Sequence, residues 1–312
     1  MREGLILAVK VAVSAAVIYA IGQRVELGEM MRSVHDAHAG HLVIATLLAV
    51  LAVPAVSVRW RLLGKMFAIR LPVGLATRAT FAGLFVGQVL PGAIGADVVR
   101  GWMVWHEGLR NKLVIASLVA DRVVSLAAIG LMILVALPFL EPHLPAALAD
   151  LTRMAFVVGM CLLLAGVAAS AYLRHHSSRH VPQRWLERLR AAGVRPTTRA
   201  IVAALGLAIV GHALVILSAY FLSLAMQVES ELWMWWLVMP IVTLVTAIPI
   251  SINGWGVREL AMVQLWALFG VHRSDAFLIS ICMGLVAIVS SLPGLWFWLL
   301  KKRSLQSSAT TS

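Results

Sequence analysis

Apolar runs long enough to cross a lipid bilayer recur along the whole chain, and they leave little room for any other architecture. They cover residues 5–21, 41–58, 71–99, 113–137, 154–173, 201–228, 232–270 and 276–300. A bilayer's hydrocarbon core takes about 20 apolar residues to cross as a helix, because backbone in hydrocarbon must satisfy its own hydrogen bonds. Only 13% of the 312 residues are charged and the mean hydropathy is +0.91; an ordinary soluble domain carries about 25% charge. The reading is an all-α polytopic membrane protein. One membrane domain covers residues 1–303, with a short disordered cytoplasmic tail at 304–312. The first run contains Lys10 and lacks a small-residue cleavage site, so it reads as a retained signal anchor.

The net charge of +12 does not point to nucleic acid. The basic residues sit between apolar runs, where they set topology and meet anionic headgroups; no segment could build the water-facing basic surface that nucleic acid requires. Cys161 and Cys282 lie within apolar runs and match no metal or disulfide spacing. No metal or cofactor is expected.

Two runs differ from the rest. Residues 71–99 break at Pro91-Gly92-Ala93-Ile94-Gly95-Ala96-Asp97, and residues 232–270 break at Pro249-Ile250-Ser251-Ile252-Asn253-Gly254-Trp255-Gly256. Charge decides what these breaks do. Seven arginines between 174 and 199 face the single acid Glu187, which puts that connection inside. Arg59, Arg61 and Lys65 mark a second inside segment, and Arg100, Arg110 and Lys112 a third. Lys301, Lys302 and Arg303 place the C-terminus inside. Acidic Glu141, Asp150, Glu229 and Glu231 fall outside. Run 71–99 then leaves on the face it entered, and run 232–270 does the same from the outer face. The sequence therefore predicts about six full transmembrane helices plus two re-entrant helical hairpins, with both termini cytoplasmic. Pro91 and Arg100 are nine positions apart, as are Pro249 and Arg258, so the hairpins are expected to be related as an inverted repeat around a midplane site.

Ionisable residues beside broken membrane helices are candidate binding groups. In the first break these are Asp97 and Arg100, where a restarting helix offers free N–H groups and a positive dipole end to an anion. In the second they are Asn253, Arg258 and Glu259, with Gly254 and Gly256 permitting tight backbone and Asn253 placed to cap the helix that follows. Asp121 and Arg122 lie near mid-depth of run 113–137 and need partners; Arg100 or Arg258 is expected for Asp121, and Asp97 or Glu259 for Arg122. Arg59 and Arg61 read as interface markers. Each constellation equally suits a structural ion-pair network. Trp60, Trp102 and Trp105, and Trp233, Trp235 and Trp236, fit aromatic belts. His35, His38 and His41 read as a solvated loop, and His212 as a hydrogen-bonding group between helices.

The blocks Leu90-Pro91-Gly92-Ala93-Ile94-Gly95-Ala96-Asp97-Val98-Val99-Arg100-Gly101, Asp121-Arg122, Gly256-Val257-Arg258-Glu259, Gly270-Val271 and Leu292-Pro293-Gly294 stand in this order. In these blocks the chain resembles the lysylphosphatidylglycerol synthase transmembrane, or flippase-like, family over nearly its whole length. Ala96 departs from the resemblance, standing where a second glycine would be expected. In larger members this domain moves an aminoacylated phospholipid between leaflets, and a separate soluble domain attaches the amino acid. No such soluble domain is seen in these 312 residues, so synthase activity is not expected.

The resemblance and the mid-depth charges together imply a flippase-like transporter in the bacterial inner membrane. Its substrate would be an anionic or zwitterionic lipid, phospho- or polyprenyl-linked. Membrane lipids are the expected partners, with a lipid-biosynthesis enzyme as a further one. The alternatives are a membrane-embedded transferase and an accessory protein of lipid or lipid-linked glycan synthesis. Nucleotide-binding, serine-hydrolase, zinc-protease and haem motifs are absent. Cysteines placed singly between Arg100 and Lys112, and between Arg174 and Arg199, should react with impermeant maleimide only from the cytoplasmic side. Labelling of either loop in intact cells would overturn the re-entrant topology.

Overall fold

A computed structural model describes residues 19, 23, 28, 31, 34–88, 94–109, 112–144, 149–150, 153–154, 156–158, 160–161, 197–248, 251 and 253–310. Run 5–21 apart from Tyr19, most of run 154–173, the basic stretch 174–196, and hairpin residues Pro91, Gly92 and Pro249 lie outside them. Among the described residues all regular structure is helical. In chain order the helices are α1 (Ala39–Met66), α2 (Val73–Gly87), α3 (Ile94–Trp105), α4 (Leu113–Leu140), α5 (Thr198–Ala225), α6 (Leu232–Thr246), α7 (Val257–Trp266), α8 (Arg273–Ser291) and α9 (Pro293–Thr310). A single 3-10 turn follows α4 at Glu141–His143 and another follows α7 at Ala267–Phe269.

Four of these elements, α1, α4 with its 3-10 turn, α5 and α8, are long and apolar enough to cross a membrane; α2 and α6 are shorter apolar helices. Only 22% of the most apolar stretch of α1 and of α5 is buried inside the protein. Apolar surface left outward on that scale is what a helix facing lipid requires. Val43, Leu47 and Leu51 on α1, and Ile115, Val119 and Val123 on α4, are all more than half exposed.

The bundle is organised around α1 and α5, which pack along their length. They run antiparallel: the His38 amide at the start of α1 donates to the Ala225 carbonyl at the end of α5 at 2.9 Å. About two turns further along α1, the Ser218 hydroxyl donates to the Ala45 carbonyl at 2.8 Å, a polar tie of the kind that substitutes for hydrophobic driving force in lipid.

Two buried clusters flank this pair. One joins the end of α1, with Trp60, to α2, α3 and the start of α4. The other joins α5, α6, α7 and α8 around Trp235, Trp266, Met262 and Ile279. Each contains a helix pair that turns back on itself. Leu75 at the start of α2 lines the same small cavity as Met103 and Glu107 at the end of α3. At the opposite end of α4, the His143 ring lies 5.6 Å from Trp233, which begins α6, and 4.8 Å from Phe269, which follows α7. The α2–α3 pair therefore opens at the start of α4 and the α6–α7 pair at its end.

Small residues let the first hairpin close. Gly83 and Gly87, one turn apart on α2, face α3: a Cβ on Gly83 would stand 2.6 Å from the Ala96 carbonyl oxygen and 2.9 Å from Arg100 Cγ, and one on Gly87 would stand 3.2 Å from Ala96 Cβ. Gly87 of α2 faces the Ala96 methyl, which accounts for alanine being tolerated at that position. Gly83→Leu should force α2 from α3 and cost about 1–3 kcal/mol, read as a lower melting temperature of the purified protein. Gly130→Ala, where a Cβ meets nothing within 4 Å, should leave it unchanged; equal melting of both variants would contradict this packing.

Candidate functional site

Buried charge concentrates where α1, α3 and α4 meet. The Asp121 carboxylate, 2% exposed, is held from both sides. Arg59 of α1 donates from Nε to Oδ1 at 2.7 Å and from Nη2 to Oδ2 at 3.2 Å. Arg100 of α3 donates from Nη1 to Oδ2 at 3.1 Å. The same Nη1 reaches Asp97 Oδ1 at 3.0 Å, and Asp97 Oδ2 accepts from Arg122 Nε. Three guanidinium groups therefore share two carboxylates.

Asp121 and Arg122 find Arg100 and Asp97 respectively, two of the partners expected for them. Arg59 is a correction. It stands just past the apolar run, but α1 continues seven residues beyond it, so its side chain lies inside the bundle at 5% exposure and not at an interface. The signal available in the sequence was Trp60. Its ring carries the Arg100 guanidinium 4.3 Å from its centroid, a cation–π contact, while its indole N–H donates to Ser117 Oγ at 3.1 Å. A belt tryptophan would face the headgroups; this one is fully buried.

The second hairpin solves the same problem within one helix. Glu259, fully buried, accepts from Arg258 Nη2 at 2.7 Å and from Ser280 Oγ at 3.1 Å, both on Oε1. Its Oε2 accepts the Gly256 backbone N–H, satisfying one of the donors that a helix start leaves open. The Arg258 guanidinium stacks 4.7 Å from the Trp255 centroid. Gly284, one turn after Ser280 on α8, leaves room for that stack: a Cβ there would stand 2.5 Å from both Arg258 Nη2 and Trp255.

Asn253 is a second correction. The residue at the start of α7 is Gly256, with φ +86°, and Asn253 precedes it with φ +47°. Rather than capping α7, the Asn253 side-chain amide donates to Gln88 Oε1 at 2.5 Å, and Gln88 Nε2 donates to the Ala287 carbonyl of α8 at 3.3 Å. The tips of the two hairpins thus touch through Gln88, a residue that sequence reasoning passed over.

Two adjacent cavities with shared wall residues lie beside these networks. One, of about 690 Å³, is almost wholly apolar and runs between α3 and α4, with Asp97 and Arg122 on its wall. The other, of about 230 Å³, is polar and holds Ser251, Asn253 and Gly254 of the second tip against Arg122, Ser125 and His212. Arg122, Leu126 and Ala247 line both. The Arg122 side chain is 43% exposed, against 6% for Arg59 and Arg100 and 10% for Arg258. Of the expected site residues, Asp97, Arg122, Asn253 and Gly254 therefore face the cavities. Arg100, Asp121, Arg258 and Glu259 stand behind them in buried networks, in which Arg100 Nε and Nη2 have no hydrogen-bond partner among the described residues, and Gly95 lies within α3.

Removing Arg59 leaves Asp121 with half its partners in a low-dielectric interior. Arg59→Met should cost on the order of 3 kcal/mol, seen as lower abundance and a lower melting temperature. The double variant Arg59→Met/Asp121→Leu should recover part of that loss, because an apolar replacement carries no unpaired charge. A double variant less stable than the single would contradict the pairing.

Residues 7–294 match the sequence family described as lysylphosphatidylglycerol synthase TM region. No curated protein matches the chain.

Proposed function

We propose that this integral membrane protein, which belongs to the lysylphosphatidylglycerol synthase TM region family, moves an anionic or zwitterionic lipid between the leaflets of the bacterial inner membrane. In this reading both termini are cytoplasmic, six helices cross fully, and the two hairpins are an inverted repeat entering from opposite faces. The family ties the chain to lipid, and the carrying observation is Arg122. It is the half-exposed member of a network in which three arginines share two aspartates, and it lines both an apolar cavity suited to acyl chain and a polar cavity suited to a headgroup. A planar, permanently charged guanidinium at that junction suits a phosphate. Asn253 completes the polar wall.

Arg100, Asp121, Arg258 and Glu259 belong to the substrate-binding set as positioning residues. They fix α3 and α7, on which the cavity depends. Energy for net movement comes from the lipid gradient or from a partner such as a lipid-biosynthesis enzyme that produces or consumes the lipid on one face.

The test is leaflet exchange of a labelled anionic phospholipid in proteoliposomes. Arg122→Gln should slow exchange at least tenfold with the melting temperature unchanged, and Arg122→Lys should fall between, keeping the charge without the bidentate geometry. Undiminished exchange by Arg122→Gln would sink the assignment.

A further inference from the structure

The polar cavity differs from its neighbours in the kind of polar group it offers. Among the described residues no carboxylate lines it, and Arg122 supplies a formal charge on its wall. The hydroxyls of Thr243 and Thr246 donate to backbone carbonyls one turn back, to Met239 at 2.7 Å and Val242 at 2.9 Å, so the oxygens they turn to the cavity are acceptors. Ser251 is different again: it is 2% exposed, and its Oγ has no hydrogen-bond partner among the described residues. A buried hydroxyl left open is destabilising, a cost that a ligand can remove.

These groups select for headgroup chemistry. A phosphate answers Arg122, and neutral O–H groups answer the acceptor oxygens of Thr243 and Thr246 and the open Ser251. An ammonium also has N–H donors. It would bring a second positive charge beside Arg122 into a site with no carboxylate to compensate it, which is costly where water is scarce. The acid bonded to Arg122, Asp97, lines the apolar cavity and not this one, and it keeps Arg100 as a partner. The volume, about 230 Å³, corresponds to roughly eight waters at about 30 Å³ each, enough for a three-carbon polyol or one sugar ring.

Resting on the transport reading above, we propose that the site takes a lipid whose phosphate is esterified to a polyol, and discriminates against aminoacylated, cationic headgroups. Glycerol phosphate and sugar phosphate share this chemistry.

The test is competitive binding to the purified protein, read by native mass spectrometry with equimolar lipid pairs. Phosphatidylglycerol should outcompete phosphatidylethanol, which has the same charge and no headgroup hydroxyl, at least fivefold. It should outcompete lysyl-phosphatidylglycerol at least tenfold. A polyprenyl phosphate carrying one hexose, set against phosphatidylglycerol, tells which polyol is preferred; either order fits the proposal. Ser251→Ala removes no bond within the protein, so it should fold normally and collapse the first ratio toward one. Equal binding of phosphatidylethanol, or preference for the lysyl lipid, would overturn the inference. If the binding ratios hold but no lipid changes leaflet in proteoliposomes, the transport reading fails and the headgroup assignment stands.

Discussion

An unpaired charge inside an apolar bundle is what this fold is arranged to avoid, and Asp121 is where the requirement bites hardest. A carboxylate at 2% exposure with no counter-charge would cost several kcal/mol. Arg59 and Arg100 meet it from opposite sides, and in doing so they tie α1 and α3 to α4. Much of the first half follows from that clamp. Trp60 must lie flat against Arg100 to cover the face of the guanidinium that carboxylates do not use. Gly83 must lack a side chain because Arg100 crosses α2 at that level.

The second half reaches neutrality differently, and the difference has consequences. The helix that follows the second hairpin carries Ser280 at the level where α4 carries Asp121, so no acid arrives from a neighbouring helix. Arg258 is balanced instead by the adjacent Glu259, with Ser280 completing the shell. That network closes at one arginine to one acid. In the first, three arginines meet at Asp97 and Asp121. The electrostatic pull on an anion is therefore centred on the first hairpin, while the second contributes shape and hydrogen bonding through Ser251, Asn253 and Gly254.

Much of this could be read from the amino acids, for identifiable reasons. A helix in hydrocarbon leaves an unmistakable apolar run, and Pro/Gly clusters interrupting such runs at 91–95 and 249–256 leave few conformations open. Charges in the middle of an apolar run advertise that partners must exist. Which partner is harder. The pairing of Asp121 with Arg59 spans 62 positions and depends on how α1 crosses α4, which no local pattern encodes. Arg59 also stood just beyond the apolar run, and a run's end is not a helix's end. Gln88 escaped for the opposite reason: a lone amide near a hairpin tip carries no charge to betray it, although it joins the two tips.

The uneven arginine count also bears on how a lipid phosphate would engage the site under the transport reading. An anion that draws a guanidinium away from its partner ordinarily strands a buried carboxylate, and that loss offsets much of the gain. Drawing Arg122 from Asp97 does not, because Asp97 keeps Arg100 at 3.0 Å. Arg100 is not overdrawn in turn, since Asp121 keeps the two bonds from Arg59. Neither of the other arginines has that freedom: releasing Arg59 or Arg100 would leave the least exposed carboxylate of the cluster half-satisfied. The network can lend one guanidinium without breaking, and the one it can lend is the one on the cavity wall. Burial of Arg59 and Arg100 is thus a condition for exchange at Arg122 and not an alternative to it.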